Sequence, residues 1–569
     1  MSSALRRIAA FSARHRALVI GAWLAVLIGL VFASHAAGTK YNSTVTVSGS
    51  DSAAATDIMS RSFSAELSDA SPIVFHTDHG TLTDAEHRGV VQASLTALSD
   101  APNVAGVGAI TTSQDGRTSY ASVVPAEALG NMTVEEAQAI LNTAKAPAAG
   151  TDVQVEAGGQ LGTKISKPAT EVSEIVGICV AMLILVLVFG TITAMLLPIA
   201  VAIFGLVCGL SVVSLLGHVL AVPDVAPTVA TMIGLGVGID YSLFIVTRAR
   251  SARYRGRGIP DAIGHAAATS GSAVAFAGGT VVIALLSLAV SGLSLITVLG
   301  QTAAIVVVVA VLASMTLLPA LLSLCGDGIE RLRIGRDRRP TLGHSAMWQR
   351  VGERVSRRPR LVALASIAVL LTLAAPVLNL GLGLTDQASA PTSSTSRQAY
   401  DLMTDSFGAG SNGPLIVAVD LGTQKATGPD DPRLLTLHNN LAAADGVQAV
   451  GVPQVAKDGS AALITVIPAG SPTSSTTSHL VDDVRNSVTP ASGVDAHVGG
   501  STAQQLDLAH LIAQRLPLII GVVVALSMLI AANRVPLGHR PTAGRVRERA
   551  GRRRRLRHRD RRLPERLRR

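Results

Sequence analysis

Eight apolar runs dominate this chain, and they leave few folds open to it. They cover Ala17–Ser34, Ile175–Phe189, Ile192–Leu216, Thr228–Val246, Ser272–Val290, Leu295–Leu324, Leu361–Leu380 and Leu516–Ala532. A bilayer is crossed by about 20 consecutive apolar residues in a helix, and most of these runs approach or exceed that length. Only 15% of the 569 residues are charged, against about 25% in a soluble globular protein. The expected class is an α-helical polytopic membrane protein.

Arginine sets the expected orientation. Arg6, Arg7, Arg14 and Arg16 precede the first run, Arg248 to Arg257 holds five arginines after the fourth, and ten more lie between Arg331 and Arg360. If every run crosses, all three clusters fall on one side, which the positive-inside rule makes the cytoplasm. The chain then divides into a cytoplasmic N-terminus (1–16), a first span (17–34), an outer domain (35–174), a five-span bundle (175–325), a basic cytoplasmic loop (326–360), a seventh span (361–380), a second outer domain (381–515) and an eighth span (516–532). The small residues Ala33-Ser34-His35-Ala36-Ala37-Gly38 also allow the first span to be read as a cleaved signal peptide.

An internal repeat argues against cleavage. At a shift near 344, Arg6, Ser12, Arg14 and Arg16 match Arg350, Ser356, Arg358 and Arg360. "TDIMSRSF" (56–63) matches "YDLMTDSF" (400–407), Gly158-Gly159 matches Gly499-Gly500, and "IVGICVAMLIL" (175–185) matches "IIGVVVALSML" (519–529). The seventh span is thus a copy of the first, and an internal copy is not a signal peptide. Parallel repeats of this kind are a transporter plan.

The second copy loses its hydrophobic period after about Ile530. Arg534–Arg569 holds 16 arginines against three acidic residues, a charge of +13, while the rest of the chain has 32 Lys+Arg and 35 Asp+Glu. Three readings of this tail (533–569) stand side by side. It is an anionic-lipid or nucleic-acid patch, a disordered solvent-facing segment, or out-of-frame translation of a GC-rich gene. The break inside a span favours the last, and with it an incomplete second half.

Between the spans, the outer stretches mix helix and strand signals. "TDAEHRGVVQASLTALSD" (83–100) and "TVEEAQAILNTAKA" (133–146) have helical spacing, the second with a Thr133-x-x-Glu136 capping box. "SPIVFHT", "SYASVVP" and "DVQVEAG" read as strands. Two small α+β domains are expected. His76, His79 and His87 lack metal-ligand spacing, and Cys179, Cys208 and Cys325 lie in or beside apolar runs. No metal, cofactor or nucleic-acid partner is expected. With no catalytic constellation, the chain is not expected to be an enzyme.

The segment "GLGVGIDYSLFIVTRAR" (234–250) places Asp240 and Tyr241 inside the fourth run. A carboxylate inside a bilayer is costly, and such a residue marks a functional site by default. Asp240, held by the Tyr241 hydroxyl, fits a proton relay; the plainer alternative is a polar contact that glues two helices. Gly234 and Gly238 are four apart and share a helix face for close packing, and Gly236 adds flexibility. "GLGVG" lacks the soluble βαβ context of a nucleotide loop, and no Walker sequence occurs. Lys164 and Lys167 read as interfacial snorkelling residues.

These residues, with "AIGHAAATSGSAVAFAGGTVVIALLSL" (262–288) and "TLLPALLSLCG" (316–326), resemble the MmpL branch of the RND superfamily over about residues 1–530. The resemblance implies an RND-type fold with two porter-like outer domains and proton-driven export of lipids or other hydrophobic molecules across the cell membrane. It also implies that Asp240 and Tyr241 match one of two facing Asp-Tyr pairs, the second of which is absent here. The competing expectation is a membrane interaction or scaffold protein, a truncated relic that transports nothing. Membrane lipids and a lipid-like substrate are the expected partners, and pairing of two chains into a homo-oligomer stays open.

Overall fold

The computed structural model describes residues 2–38, 41, 49–63, 70–127, 129–130, 132–166, 170–330, 346–379 and 386–532. Lys167, much of the basic loop and the arginine-rich tail lie outside the described residues. Two compact units result, Met1–Ile519 and Ile520–Arg569. The described part of the second is the end of one helix.

Among the described residues there are eight apolar helices: α1 (Arg16–Ala37), α2 (Thr170–Phe189), α3 (Ile192–Leu216), α4 (Ala226–Tyr254), α5 (Ser272–Leu286), α6 (Ser294–Cys325), α7 (Pro359–Ala374) and α8 (Ser501–Ala532). Among the described residues, seven helical stretches are long and apolar enough to cross a membrane, and Ile175–Phe189 of α2 is a shorter apolar run. Helix α2 begins at Thr170, ahead of its apolar run at Ile175, and two others outrun their apolar segments further. α4 continues through Arg248, Arg250 and Arg253, and α8 begins at Ser501, fifteen residues before its apolar part. The stretch of α4 from Val246 to Tyr254 holds no glycine or proline, and α8 stays helical through Pro517 at the start of its apolar part, so backbone hydrogen bonding carries both helices beyond the apolar part.

Helices α3, α4 and α6 pack on one another, α5 packs on α6, and α1 on α3 and α6. Hydrophobicity does not drive such contacts in lipid; close approach and polar pairing do. Gly209 of α3 sits against Val306 of α6, where a Cβ would come within 3.0 Å. Trp23 of α1 donates from Nε1 to Thr316 Oγ1 at 3.0 Å, and the buried hydroxyls of Ser242 and Ser314 pair at 3.2 Å. A short helix, Ser2–Arg14, precedes α1 and buries Ala9, Ser12 and Ala13 against α6 and the helix Ile259–Ala266. The Ser323 hydroxyl donates to the Ala13 carbonyl at 2.8 Å.

The outer stretches form two antiparallel sheets of the same design. The first contains β1 (Ser71–Thr77), β2 (Val104–Val107), β3 (Thr111–Thr112), β4 (Thr118–Pro125) and β5 (Val153–Ala157), in the order β2-β4-β1-β5 with β3 beside β4. The second contains β6 (Leu415–Asp420), β7 (Val447–Val450), β8 (Gln454–Val455), β9 (Ala461–Pro468) and β10 (Asp495–Gly499), in the order β10-β6-β9-β7 with β8 beside β9. The register shifts at equivalent places, between Val104 and Gly106 and between Val447 and Ala449. The repeat read from sequence therefore extends to an irregularity. β2 runs parallel to β1 with β4 between them, a split βαβ arrangement. Ile73, Phe75, Val123 and Val155 bury beneath the helices Ala85–Ser99 and Val134–Lys145. The second helix carries the capping box, with the Thr133 hydroxyl accepting from Glu136 N at 3.2 Å. Burial contributes about 1.5–3 kcal/mol for each such side chain.

Division by chain segment fails at one point. Helix Asp51–Ser62, which follows the first span, packs on the second sheet: Ala55 and Ile58 meet Ala418, Ala461 and Leu463. Helix Thr395–Phe407, which follows the seventh span, packs on the first sheet, with Ala399 and Met403 against Val74. The outer domains expected at 35–174 and 381–515 thus exchange one helix each. Polar groups lock the first exchange. Asp51 accepts from Val498 N at 2.8 Å and meets His497 Nδ1 at 2.7 Å and Arg485 Nε at 2.9 Å. Arg485 also pairs with Asp507 at 2.6 Å, and Asp507 accepts from Ser52 N at 3.1 Å.

Candidate site on the fourth membrane helix

Helix α4 has two unlike faces. Gly234, Gly238, Tyr241, Ser242 and Ile245 are buried, while Met232, Gly236, Asp240 and Phe244 are exposed at four-residue intervals. Residues at i and i+4 lie one above the other on a helix. Asp240 therefore stands in the middle of an exposed stripe, with the side-chain-free Gly236 one turn away and Phe244 one turn on the other side. A Cβ at Gly236 would meet nothing within 4 Å, so the stripe has a notch beside the carboxylate.

The buried face depends on its glycines. A Cβ on Gly238 would stand 3.0 Å from Ala202 Cβ and 3.1 Å from Ala202 Cα. One on Gly234 would stand 2.4 Å from Val306 Cγ1. The two glycines thus let α4 approach α3 and α6. Gly236 takes no part in that contact.

Asp240 and Tyr241 do not form the hydrogen-bonded pair expected from sequence. Successive helical residues are turned by about 100°, and here the turn separates them. The Tyr241 ring enters the core with its Cε2 3.3 Å from where a Gly278 Cβ would sit, while Asp240 faces outward. Asp240 has no hydrogen-bond or ion-pair partner among the described residues. It was expected to be a buried carboxylate; it is an exposed one, on a helix of membrane-spanning character.

Two further polar contacts were not singled out from sequence. The Ser242–Ser314 pair lies on the buried face next to Tyr241. The visible signal was a hydroxyl inside each of two apolar runs, but sequence alone does not say which runs are neighbours. At the arginine-bearing end of α4, Arg250 donates from Nη1 to the Phe189 carbonyl at 3.0 Å and stacks 5.5 Å above the Phe189 ring. A cavity of about 180 Å³ opens there between Arg253, Tyr254, Ile259 and Leu322.

The outer histidines do not converge. His76 Nδ1 pairs with Thr118 Oγ1 at 2.9 Å, and His87 pairs through Nε2 with Asp152 at 2.9 Å and through Nδ1 with the Thr81 carbonyl at 2.9 Å. The Thr81 carbonyl raises the pKa of His87 above its ordinary value, burial opposes the rise, and Asp152 adds to it. Lys164 donates to the Leu129 carbonyl at 2.9 Å and approaches Asp224 at 4.0 Å, so it is tied to the protein instead of snorkelling.

Known proteins resemble the chain along most of its length. It is 30% identical over 558 residues to the membrane protein YdfJ of Bacillus subtilis, covering 94% of this chain and 74% of that one. It is 30% identical over 388 residues to the mycolic acid-containing lipids exporter MmpL11 of Mycolicibacterium smegmatis, covering 66% of this chain and 40% of the exporter. It is 29% identical over 368 residues to the heme uptake protein MmpL11 of Mycobacterium tuberculosis, covering 63% of this chain and 38% of that protein. The sequence profile of the MMPL family matches residues 44–362 and 388–537. With its apolar helices and paired outer sheets, this chain belongs to the MMPL family of multi-pass membrane transporters.

Proposed function

We propose that the chain takes part in export of lipids or other hydrophobic molecules across the cell membrane, driven by the proton gradient, with Asp240 as the group that carries the proton. The observation behind this reading is the unpartnered Asp240 carboxylate on the exposed stripe of α4. A carboxyl is a group that can bind and release a proton. It takes a proton from the side where protons are plentiful and releases it when water or a cation reaches it. Gly236 leaves room for that approach. Membership of a transporter family that includes a named lipid exporter supports the cargo class.

The stripe also suits a facing helix, and a second copy of the chain is the occupant proposed here. Tyr241 then acts as a packing residue that fixes the rotation of α4, not as the hydrogen-bond partner of Asp240. A second reading comes from the relative named as a heme uptake protein: the same machinery would take up an apolar cargo.

The test is transport by the purified chain in liposomes under an imposed pH gradient, with a fluorescent fatty-acyl lipid and, separately, heme. Lipid movement that follows the gradient and disappears in Asp240→Asn supports the proposal, since Asn keeps the shape but releases no proton. Gradient-independent movement, or an Asp240→Asn variant with full activity, overturns it. Absence of all transport with intact lipid binding supports the scaffold alternative.

A further inference from the structure

The helix Ala346–Arg357 precedes α7 as the helix Ser2–Arg14 precedes α1, and the shift of 344 makes them copies. The first copy docks on the bundle through Ala9 and Ala13. The second cannot dock in the same way, because Glu353 and Arg357 stand at the equivalent positions. Large charged side chains have replaced the two small residues that allow close contact. Every residue from Gln349 to Arg357 is exposed, including Val351 and Val355.

The remaining pattern is that of an interfacial helix. Val351 and Val355 share one face by their four-residue spacing, and Arg350, Arg354 and Arg357 form a stripe along one flank of it. Against these three cations the described face of the helix holds one anion, Glu353. Two residues after the helix ends, Pro359 starts the apolar α7, so the helix is tethered where a membrane surface must be. A helix with this apolar face and basic flank lies in the interface plane and gains affinity from anionic lipid.

We propose that Ala346–Arg357 lies along the membrane surface, with Val351 and Val355 in the boundary between headgroups and acyl chains and with Arg350, Arg354 and Arg357 on anionic lipid headgroups. It anchors the connection between the two repeats to the charged leaflet, independently of what the chain transports. Each arginine near an anionic surface changes partition by on the order of fivefold at physiological salt.

The test uses the full-length chain with a fluorescent label on Val351→Cys, with Cys179, Cys208 and Cys325 replaced by Ser. The protein is reconstituted in phosphatidylcholine alone and in phosphatidylcholine with phosphatidylglycerol. The expected result is quenching by brominated lipid and shielding from iodide in the anionic membrane, both weakened in phosphatidylcholine or high salt. R350Q, R354Q and R357Q combined are expected to abolish the difference between the two lipids. Equal iodide access in both membranes overturns the proposal, as does a triple variant that keeps the full difference. Shielding from both quenchers means that protein covers the face, which also overturns it. Hydrogen exchange of residues 346–357 in the unaltered chain gives a second reading: protection is expected to rise with phosphatidylglycerol, and no change would count against the proposal.

Discussion

A Cβ placed on Gly499 would meet the Cβ of Ala55 at 2.8 Å, closer than such atoms ever sit. The equivalent contact in the other repeat is Ala399 against Gly158, at 3.4 Å. Each pair joins a helix from one half of the chain to a strand end from the other, so the exchanged helices are seated on glycines. Gly499→Ala should loosen the helix Asp51–Ser62 at a cost of about 1–3 kcal/mol, the range for overpacking a close contact. Faster hydrogen exchange in residues 51–62 is the expected result. Gly158→Ala should disturb the helix Thr395–Phe407 less through Ala399, although Pro72 Cγ at 3.0 Å must also yield.

Arg485 stands between Asp51 and Asp507, with side-chain exposures of 28% and 9% for the two carboxylates. Its removal leaves two anions without their shared cation. Breaking a fully buried pair costs about 3–5 kcal/mol, and partial exposure reduces this to roughly 1–3 kcal/mol for Arg485→Ala. Proteolysis near residues 49–51 should accelerate in the variant and remain slow in Arg485→Lys if charge alone matters. Equal acceleration in both would show that the forked guanidinium geometry is required.

On α4, the glycines should separate by function. Gly238→Ala must push Ala202 aside, and about 1–3 kcal/mol of destabilisation is expected. Gly236→Ala meets open space and should leave thermal stability unchanged. Gly236→Leu should also fold, yet impair any step that needs water or a helix to reach Asp240. A stability loss equal to that of Gly238→Ala would show that the stripe is covered in the folded protein.

His87 gives the first outer domain a pH dependence of known sign. Its folded pKa is raised, so its protonated form is the stabilised one. The contribution is fully present below the unfolded value of about 6.5 and is lost as pH rises through the folded value. Exchange in the helix Ala85–Ser99 should therefore quicken with rising pH beyond its intrinsic dependence, and His87→Gln should remove the excess.

The orientation expected from the arginine clusters is open to direct labelling. Thr112 and Thr427 are exposed, one in each outer domain. Cysteines placed there should both react with an impermeant reagent in intact cells. Reaction at one position alone would break the assignment of both domains to the outer side.

Several features were legible in the sequence because they rest on local patterns. Long apolar runs gave the membrane helices, and the capping box gave the start of Val134–Lys145. The matched segments at a shift near 344 announced two copies of one unit. The spacing of Gly234 and Gly238 announced a packing face, because helical period is a property of the chain itself.

Other features depended on which surfaces meet. The apolar face of Asp51–Ser62 shows that the helix is covered, but not that a sheet more than 350 residues away covers it. The two copies present nearly the same face, so pattern cannot choose between packing within one domain and exchange between two. Contacts such as Asp51 with Arg485 decide it. Likewise, sequence put Asp240 and Tyr241 side by side, and only their rotation about α4 sent the phenol into the core and the carboxylate out. Adjacency along a helix separates side chains by about 100°, and the neighbours packed on each face determine which of them is buried.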